Sequence, residues 1–256
     1  MVNLGIIGCG AIGSDVARAA EAMNEISSIY LYDIDKKAED ALCKSLSKAV
    51  CLSIPRFLDK VDVVFEAASQ EAVQKFGEMI LEKGKDLIIM SIGSLVDDAF
   101  RKRLETLARE HHCKIYLPSG AVCGIDGILS ASVDTIDEVT LVTTKPPRSL
   151  KKTYERRTVV FRGTARDAVK AFPKNINVAA NLSIAGVGFE KTKVEIVADP
   201  VATRNSHKIL AHGAFGRLRA EVENMPNPNN PGSSYLASLS AIATLKRILT
   251  PIQIGA

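Results

Sequence analysis

A chain of 256 residues is long enough for one large domain or two modest ones. Hydrophobic residues at 46% and charged residues at 24% give an ordinary soluble globular composition. The net charge of +4 is dispersed without a basic stripe, which argues against nucleic-acid binding. The most basic run, Lys145 to Arg157, reads as a solvated surface loop. Cys9, Cys43, Cys51, Cys113 and Cys123 form no C-x-x-C pair and no zinc-ligand spacing. A reduced, cytoplasmic setting without a bound metal is therefore expected. No signal-peptide pattern opens the chain, and no apolar stretch reaches the ~20 residues of a membrane span.

In chain order, Leu4–Ile7 is a short apolar run before a glycine loop and predicts a buried strand. Residues 12–23 place Val16, Ala19, Ala20 and Met23 at helical spacing. A second strand, 29–32, ends at Asp33, and 36–48 is an amphipathic helix. Then come a strand at 61–68, a helix at 71–82, a strand at 87–90, a helix at 97–111 and a strand at 114–117. Strands alternating with helices through short connections imply parallel βαβ units, and their continuous apolar character fits cover on both faces.

After Leu117 the rhythm changes. Residues 125–131 read as a helix, 138–144 and 158–162 as half-buried strands, and 145–148 as the loop between them. Helices at 167–172 and 178–185 precede strands at 193–198, 206–212 and 217–223. Residues 225–234 form a Pro- and Asn-rich loop, and 236–249 a final amphipathic helix. The expected fold is α/β: an N-terminal doubly wound parallel sheet of Rossmann type, then an α+β domain with a mostly antiparallel sheet. The expected boundaries are 1–120 for the dinucleotide-binding domain and 121–234 for the catalytic and dimerisation domain. The helix at 235–250 is expected to pack back on the first.

Gly8-Cys9-Gly10-Ala11-Ile12-Gly13 is a G-x-G-x-x-G loop between a strand and a helix, the context that gives this short pattern meaning. Gly8 allows the tight turn, Gly10 lets the backbone approach a pyrophosphate, and Gly13 lets helix and strand pack closely. The helix start, at Ala11 and Ile12, offers free N–H groups to phosphate. Asp33, 20 positions after Gly13, stands where an acid hydrogen-bonds the adenosine ribose. It repels a 2′-phosphate and so favours NAD, while Lys36 and Lys37 soften that repulsion and leave NADP open.

Four histidines are present. His111 and His112 end a helix, where a cation suits the dipole. His207 and His212 lie five apart on one strand and point to opposite faces. On pattern alone His207 is equally a filler and a catalytic residue. Asn175 and Asn177 precede an alanine-rich helix and suit its N-cap. Ser119-Gly120-Ala121 and Ser91-Ile92-Gly93-Ser94 follow strands at the end where such sheets bind ligands, and otherwise read as turns.

Together these segments resemble the L-aspartate dehydrogenase family. The resemblance covers essentially the whole chain. It rests on the glycine loop, Met90–Leu95, Pro118–Gly127, Phe172-Pro173-Lys174-Asn175-Ile176-Asn177 with the following Val-Ala-Ala, Asp199-Pro200, Arg204-Asn205-Ser206-His207-Lys208-Ile209, and Gly213–Gly216. The family joins a Rossmann domain to an α+β domain, often as homodimers, and oxidises L-aspartate to iminoaspartate with NAD or NADP. That product feeds NAD biosynthesis through quinolinate. The resemblance implies that Ala121 and Asn177 contact the coenzyme and that His207 is the active-site residue. Arg204, Asn205 and Ser233 are candidates for holding substrate; Lys208 alternates to the face opposite His207. One departure is the segment before the last helix. The family pattern Asn-Pro-Lys-Thr-Ser is here the longer Asn227–Ser234, without the lysine. Homoserine dehydrogenase and dihydrodipicolinate reductase share the two-domain plan, but the reductase's His-His-Arg-Lys-type cluster is missing. A non-catalytic NAD-sensing protein is a third reading.

Overall fold

The computed structural model describes residues 1–146, 154–172 and 177–255. Two compact units emerge, Met1–Pro118 with Ser238–Ile252, and Ser119–Ala237 with Gln253–Ala256.

The first unit is built on a six-stranded parallel sheet. Its strands are β1 (Val2–Ile7), β2 (Ile26–Tyr32), β3 (Ala49–Cys51), β4 (Val63–Glu66), β5 (Asp86–Ile89) and β6 (Ile115–Tyr116). They lie in the order β3-β2-β1-β4-β5-β6. This is the doubly wound order, whose reversal point lies between β1 and β4. Leu4, Ile6, Ile29, Leu31, Phe65 and Ile88 are fully buried, as strands covered on both faces require. The helices are α1 (Ala11–Glu21), α2 (Lys36–Lys44), α3 (Ile54–Leu58), α4 (Gln70–Glu82) and α5 (Asp98–Glu110). Asp35 caps α2 through Lys37 N and Ala38 N, and Asp97 caps α5 through Ala99 N and Phe100 N.

Two elements here escape the sequence pattern. β3 has three residues and α3 has five, too short to show a period. α3 nevertheless buries Phe57 completely, a burial that stabilises the unit by about 2–3 kcal/mol. Ser91–Ser94, which otherwise reads as a turn, leads into a short 3-10 helix, Ile92–Val96.

The second unit carries α6 (Ile125–Ala131), β7 (Ile136–Lys145), β8 (Thr158–Thr164), α7 (Ala165–Ala171), α8 (Asn177–Ala185), β9 (Lys193–Ala198), β10 (Asn205–Gly213) and β11 (Gly216–Asn224). Its five strands run in the order β11-β10-β7-β9-β8. Only the β7–β9 junction is parallel, so the sheet is mostly antiparallel. β7 alternates cleanly, burying Val139, Leu141, Thr143 and Lys145. The turn after β10 ends it at Gly213, and β11 returns as its hairpin partner along nine paired positions.

Two expectations for this unit are corrected. Lys145 is not the first residue of a solvated loop; it is the last residue of β7, and its side chain is 6% exposed. The strand's period of two continues through the lysine and overrides its preference for water. Residues 225–234 are not a plain loop but a small hairpin, β12 (Pro226–Asn227) and β13 (Asn230–Ser234). Asn227 closes it, its Oδ1 accepting from Asn229 N at 2.7 Å and Asn230 N at 3.2 Å. The last helix, α9 (Tyr235–Leu249), has most of its length in the first unit. Asn175 lies outside the described residues.

Candidate active site

In the first unit the chain turns sharply between β1 and α1. Gly8 has φ +102°, and a Cβ there would stand 2.7 Å from the Ala67 carbonyl carbon. Gly13 is tighter still, since its Cβ would come within 1.9 Å of the Gly8 carbonyl oxygen. Gly10 is different in kind, because a Cβ there would meet nothing within 4 Å among the described residues. Two glycines therefore make the turn, and the third leaves space in front of it. Gly10 also serves as the extended N-cap of α1 without supplying a side-chain cap, and the first turn of α1 holds no acid. The N–H groups at Ala11 and Ile12 thus face the start of a helix whose positive dipole end carries no acid in its first turn.

Asp33 follows β2 and is half-buried. Cys9 N donates to its Oδ2 at 2.6 Å and Asp35 N to its Oδ1 at 2.8 Å. Gly8 and Asp33 share a cleft of about 240 Å³ with Tyr32, Ile34, Ala68 and Ser69. Lys36, close in sequence, lies 4.8 Å over the Tyr32 ring and pairs with the buried Glu39. Burial and the neighbouring Asp33 push the Cys9 thiol up to about 12, so it is an inert space-filler in the loop.

A buried carboxyl that sequence reading missed, Glu66, ends β4. It accepts from Ala68 N at 2.8 Å, Ser91 N at 3.0 Å and Ser91 Oγ at 2.8 Å. Burial raises its pKa, against those hydrogen bonds. Glu66 ties the loops after β4 and β5 together beside the cleft; a glutamate closing an apolar strand is its only trace in the sequence.

In the second unit His207 lies on β10 opposite Thr143 of β7 and is 7% exposed. Thr143 Oγ1 and His207 Nδ1 are 2.9 Å apart. Burial, with the Lys145 ammonium second, holds the imidazole down to about 4, and burial also lowers the pKa of Lys145. His207 is thus a fixed, neutral imidazole. His212, five positions on, is exposed and 3.5 Å from Asp137, as a residue on the opposite face should be. Thr143 and Lys145 were missed as site residues. The signal was available, because both continue the buried parity of Val139 and Leu141.

Asn205 opposes Asn224 across β10 and β11, and each has a buried Oδ1 with no hydrogen-bond partner among the described residues. Asn224 Nδ2 donates to the Ala121 carbonyl at 3.0 Å, which fixes Ala121 by its backbone. Arg204, Asn205 and Ser233 come together around a small cavity of about 50 Å³. Asn177 stands exposed at the first turn of α8 and is not among that cavity's lining. Lys208 pairs with Glu221 at 3.1 Å on the face away from His207.

Each half matches a known family model. Residues 8–118 match the homoserine dehydrogenase NAD-binding domain, and residues 126–248 the aspartate dehydrogenase C-terminal domain. An L-aspartate dehydrogenase of Methanosarcina barkeri is 46% identical over 272 residues, with all of both chains covered. The chain belongs to the L-aspartate dehydrogenase family. A family member from Nitrosopumilus maritimus is 42% identical, again over the full length of both chains. The crystal structure of an aspartate dehydrogenase from Thermotoga maritima superposes with a TM-score of 0.83 at 33% identity and full coverage of both chains. The family's architecture, a Rossmann sheet followed by a mixed sheet, is the one described above. Among the described residues no helix is long and apolar enough to cross a membrane, and no cluster of His, Cys, Asp and Glu forms a metal site.

Proposed function

We propose that this protein oxidises L-aspartate to iminoaspartate with NAD, NADP being the weaker coenzyme, and that His207 is its catalytic base. The observation that carries the assignment is the buried, neutral His207 with its Nδ1 fixed at 2.9 Å from Thr143 Oγ1. Names of full-length relatives support the substrate, and the residues of the first unit fit the coenzyme. The fit rests on the open space at Gly10, the acid-free first turn of α1 and the Asp33 carboxylate at the cleft.

Bound NAD supplies a two-electron acceptor for the hydride that leaves the substrate Cα. The protein's part is binding and proton transfer. Gly8, Gly10, Ala11, Ile12 and Gly13 cradle the pyrophosphate, and Asp33 accepts from the ribose hydroxyls. Its charge opposes a 2′-phosphate; Lys36, the nearest lysine in sequence, is already paired with Glu39, while Lys75 lines the same cleft. Ala121 and Asn177 are the coenzyme contacts we assign in the second unit.

The substrate ammonium must lose a proton before Cα gives up hydride. With Nδ1–H donating to Thr143 Oγ1, Nε2 of His207 keeps the lone pair that takes that proton. Hydride loss then leaves iminoaspartate as the product, and His207, now charged, gives its proton to solvent before the next turnover. Asn205, Arg204 and Ser233 are the polar groups we assign to the substrate's other end. A homodimer in the cytoplasm completes the proposal.

The test is an assay of NAD and NADP against a panel of amino acids and small hydroxy acids, following the reduced coenzyme. Aspartate-specific turnover is expected. His207→Ala should lower turnover ~100-fold or more while coenzyme affinity stays unchanged. Turnover with another substrate only, or retained turnover in the variant, overturns the assignment.

A further inference from the structure

We infer that Lys145 is the cation that receives a carboxylate of the dicarboxylic substrate. The inference rests on the activity proposed above and adds what would make its site choose a dianion. A substrate with two carboxylates needs a positive group on the face of the sheet that carries His207. Sequence reading offered Arg204 as the cation and put Lys208 on the face opposite His207. Lys208 is on the other face and is paired with Glu221 at 3.1 Å. Arg204 is exposed ahead of β10.

Lys145 meets each requirement. It sits two residues after Thr143 on β7, and β7 presents both on its buried face. Thr143 is the cross-strand partner of His207, so hydroxyl, imidazole and ammonium form one cluster. The strand end that carries the lysine is fixed, because Asp199 N donates to the Lys145 carbonyl at 3.0 Å and Lys145 pairs with Ala198 of β9. Among the described residues it is also the one buried Lys or Arg.

The hairpin β12–β13 carries no lysine or arginine and so offers no cation of its own. Lys145 supplies the charge from inside the sheet. It also acts on the base: its ammonium disfavours protonation of His207, and a carboxylate seated on it removes that effect. Substrate arrival then makes His207 a better proton acceptor than it is in the free protein.

The test uses succinate, a dicarboxylate that cannot react. Calorimetry in saturating NADH should show succinate binding to the wild type. Lys145→Met should weaken that binding, and raise the aspartate KM, by at least ~30-fold, as expected for removing a charge-assisted contact. Its NADH affinity should stay within about twofold, since the coenzyme's phosphate cradle lies in the other unit. Lys208→Met should leave succinate binding unchanged. Carbon-13 labelling of the lysine side chains gives a readout that needs no variant to fold: succinate should move the Lys145 Cε resonance of the wild type. Unchanged succinate affinity in Lys145→Met, or a Lys145 resonance indifferent to saturating succinate, overturns the inference. The succinate readouts do not require aspartate turnover, so a failure of the proposed activity is seen separately in the wild-type assay.

Discussion

His207 makes a prediction about stability that is independent of catalysis. Its imidazole is held down to about 4, against 6.5 for the free group, chiefly by burial. In the unfolded chain it regains the ordinary value. As pH falls below 6.5 the unfolded state takes up a proton that the native state refuses, so the native state loses stability until about pH 4. Below that both states are protonated and the loss stops. At about 1.36 kcal/mol per pH unit the window corresponds to about 3 kcal/mol, without a discount for solvent because the group is buried. The perturbation is His207→Gln, which keeps a polar group facing Thr143 and cannot titrate. Urea unfolding of both proteins at several pH values from 7.5 to 4 gives the comparison. The wild type should lose about 3 kcal/mol more than the variant over that range. Parallel stability curves would refute both the burial of a neutral imidazole and the tautomer argument that depends on it.

The glycine loop separates architecture from binding. Gly10→Ala should change the unfolding free energy of the free protein by no more than about 1 kcal/mol while raising the NAD Kd at least ~10-fold, because only bound pyrophosphate would meet the new methyl. Gly13→Ala should destabilise the free protein by about 3 kcal/mol or more, because its Cβ collides with the Gly8 carbonyl. Calorimetry and thermal unfolding distinguish the two. Asp33→Ser should raise the ratio of kcat/KM with NADP to that with NAD at least ~10-fold, and an unchanged ratio would remove Asp33 from coenzyme selection.

The parts of the molecule that were legible in sequence are those where one periodicity holds over several residues. Strands β1, β4 and β5 each hold a short apolar run, Leu4–Ile7, Val63–Phe65 and Leu87–Ile89, and β9 and α6 have the same bounds in sequence and structure. The glycine loop was legible because each glycine has a separate steric task, and the structure distributes the tasks as the spacing implies. Short elements were not legible. β3 is held by pairing with β2 rather than by any pattern of its own, and α3 is defined by one buried aromatic, Phe57. At the candidate site, His207 stood out only through the segments around it. Lys145 was misread because a lysine before two prolines suggests solvent, whereas the alternation of β7 continues one residue further and takes the side chain inside. Glu66, Asn224 and Thr143 are known by their partners across strands and loops, which no local window contains.

Asp33 has a consequence for how coenzyme preference can evolve in this chain. Its carboxylate is a bracket for the loop, receiving Cys9 N–H and Asp35 N–H before any ligand arrives. A lineage that replaced it to accept the phosphorylated coenzyme would loosen the turn at the same stroke. Ile34 shares the same cleft, is 88% exposed, and has no such duty. The easier evolutionary route to NADP therefore runs through a cation at Ile34, with the bracket beside it left in place.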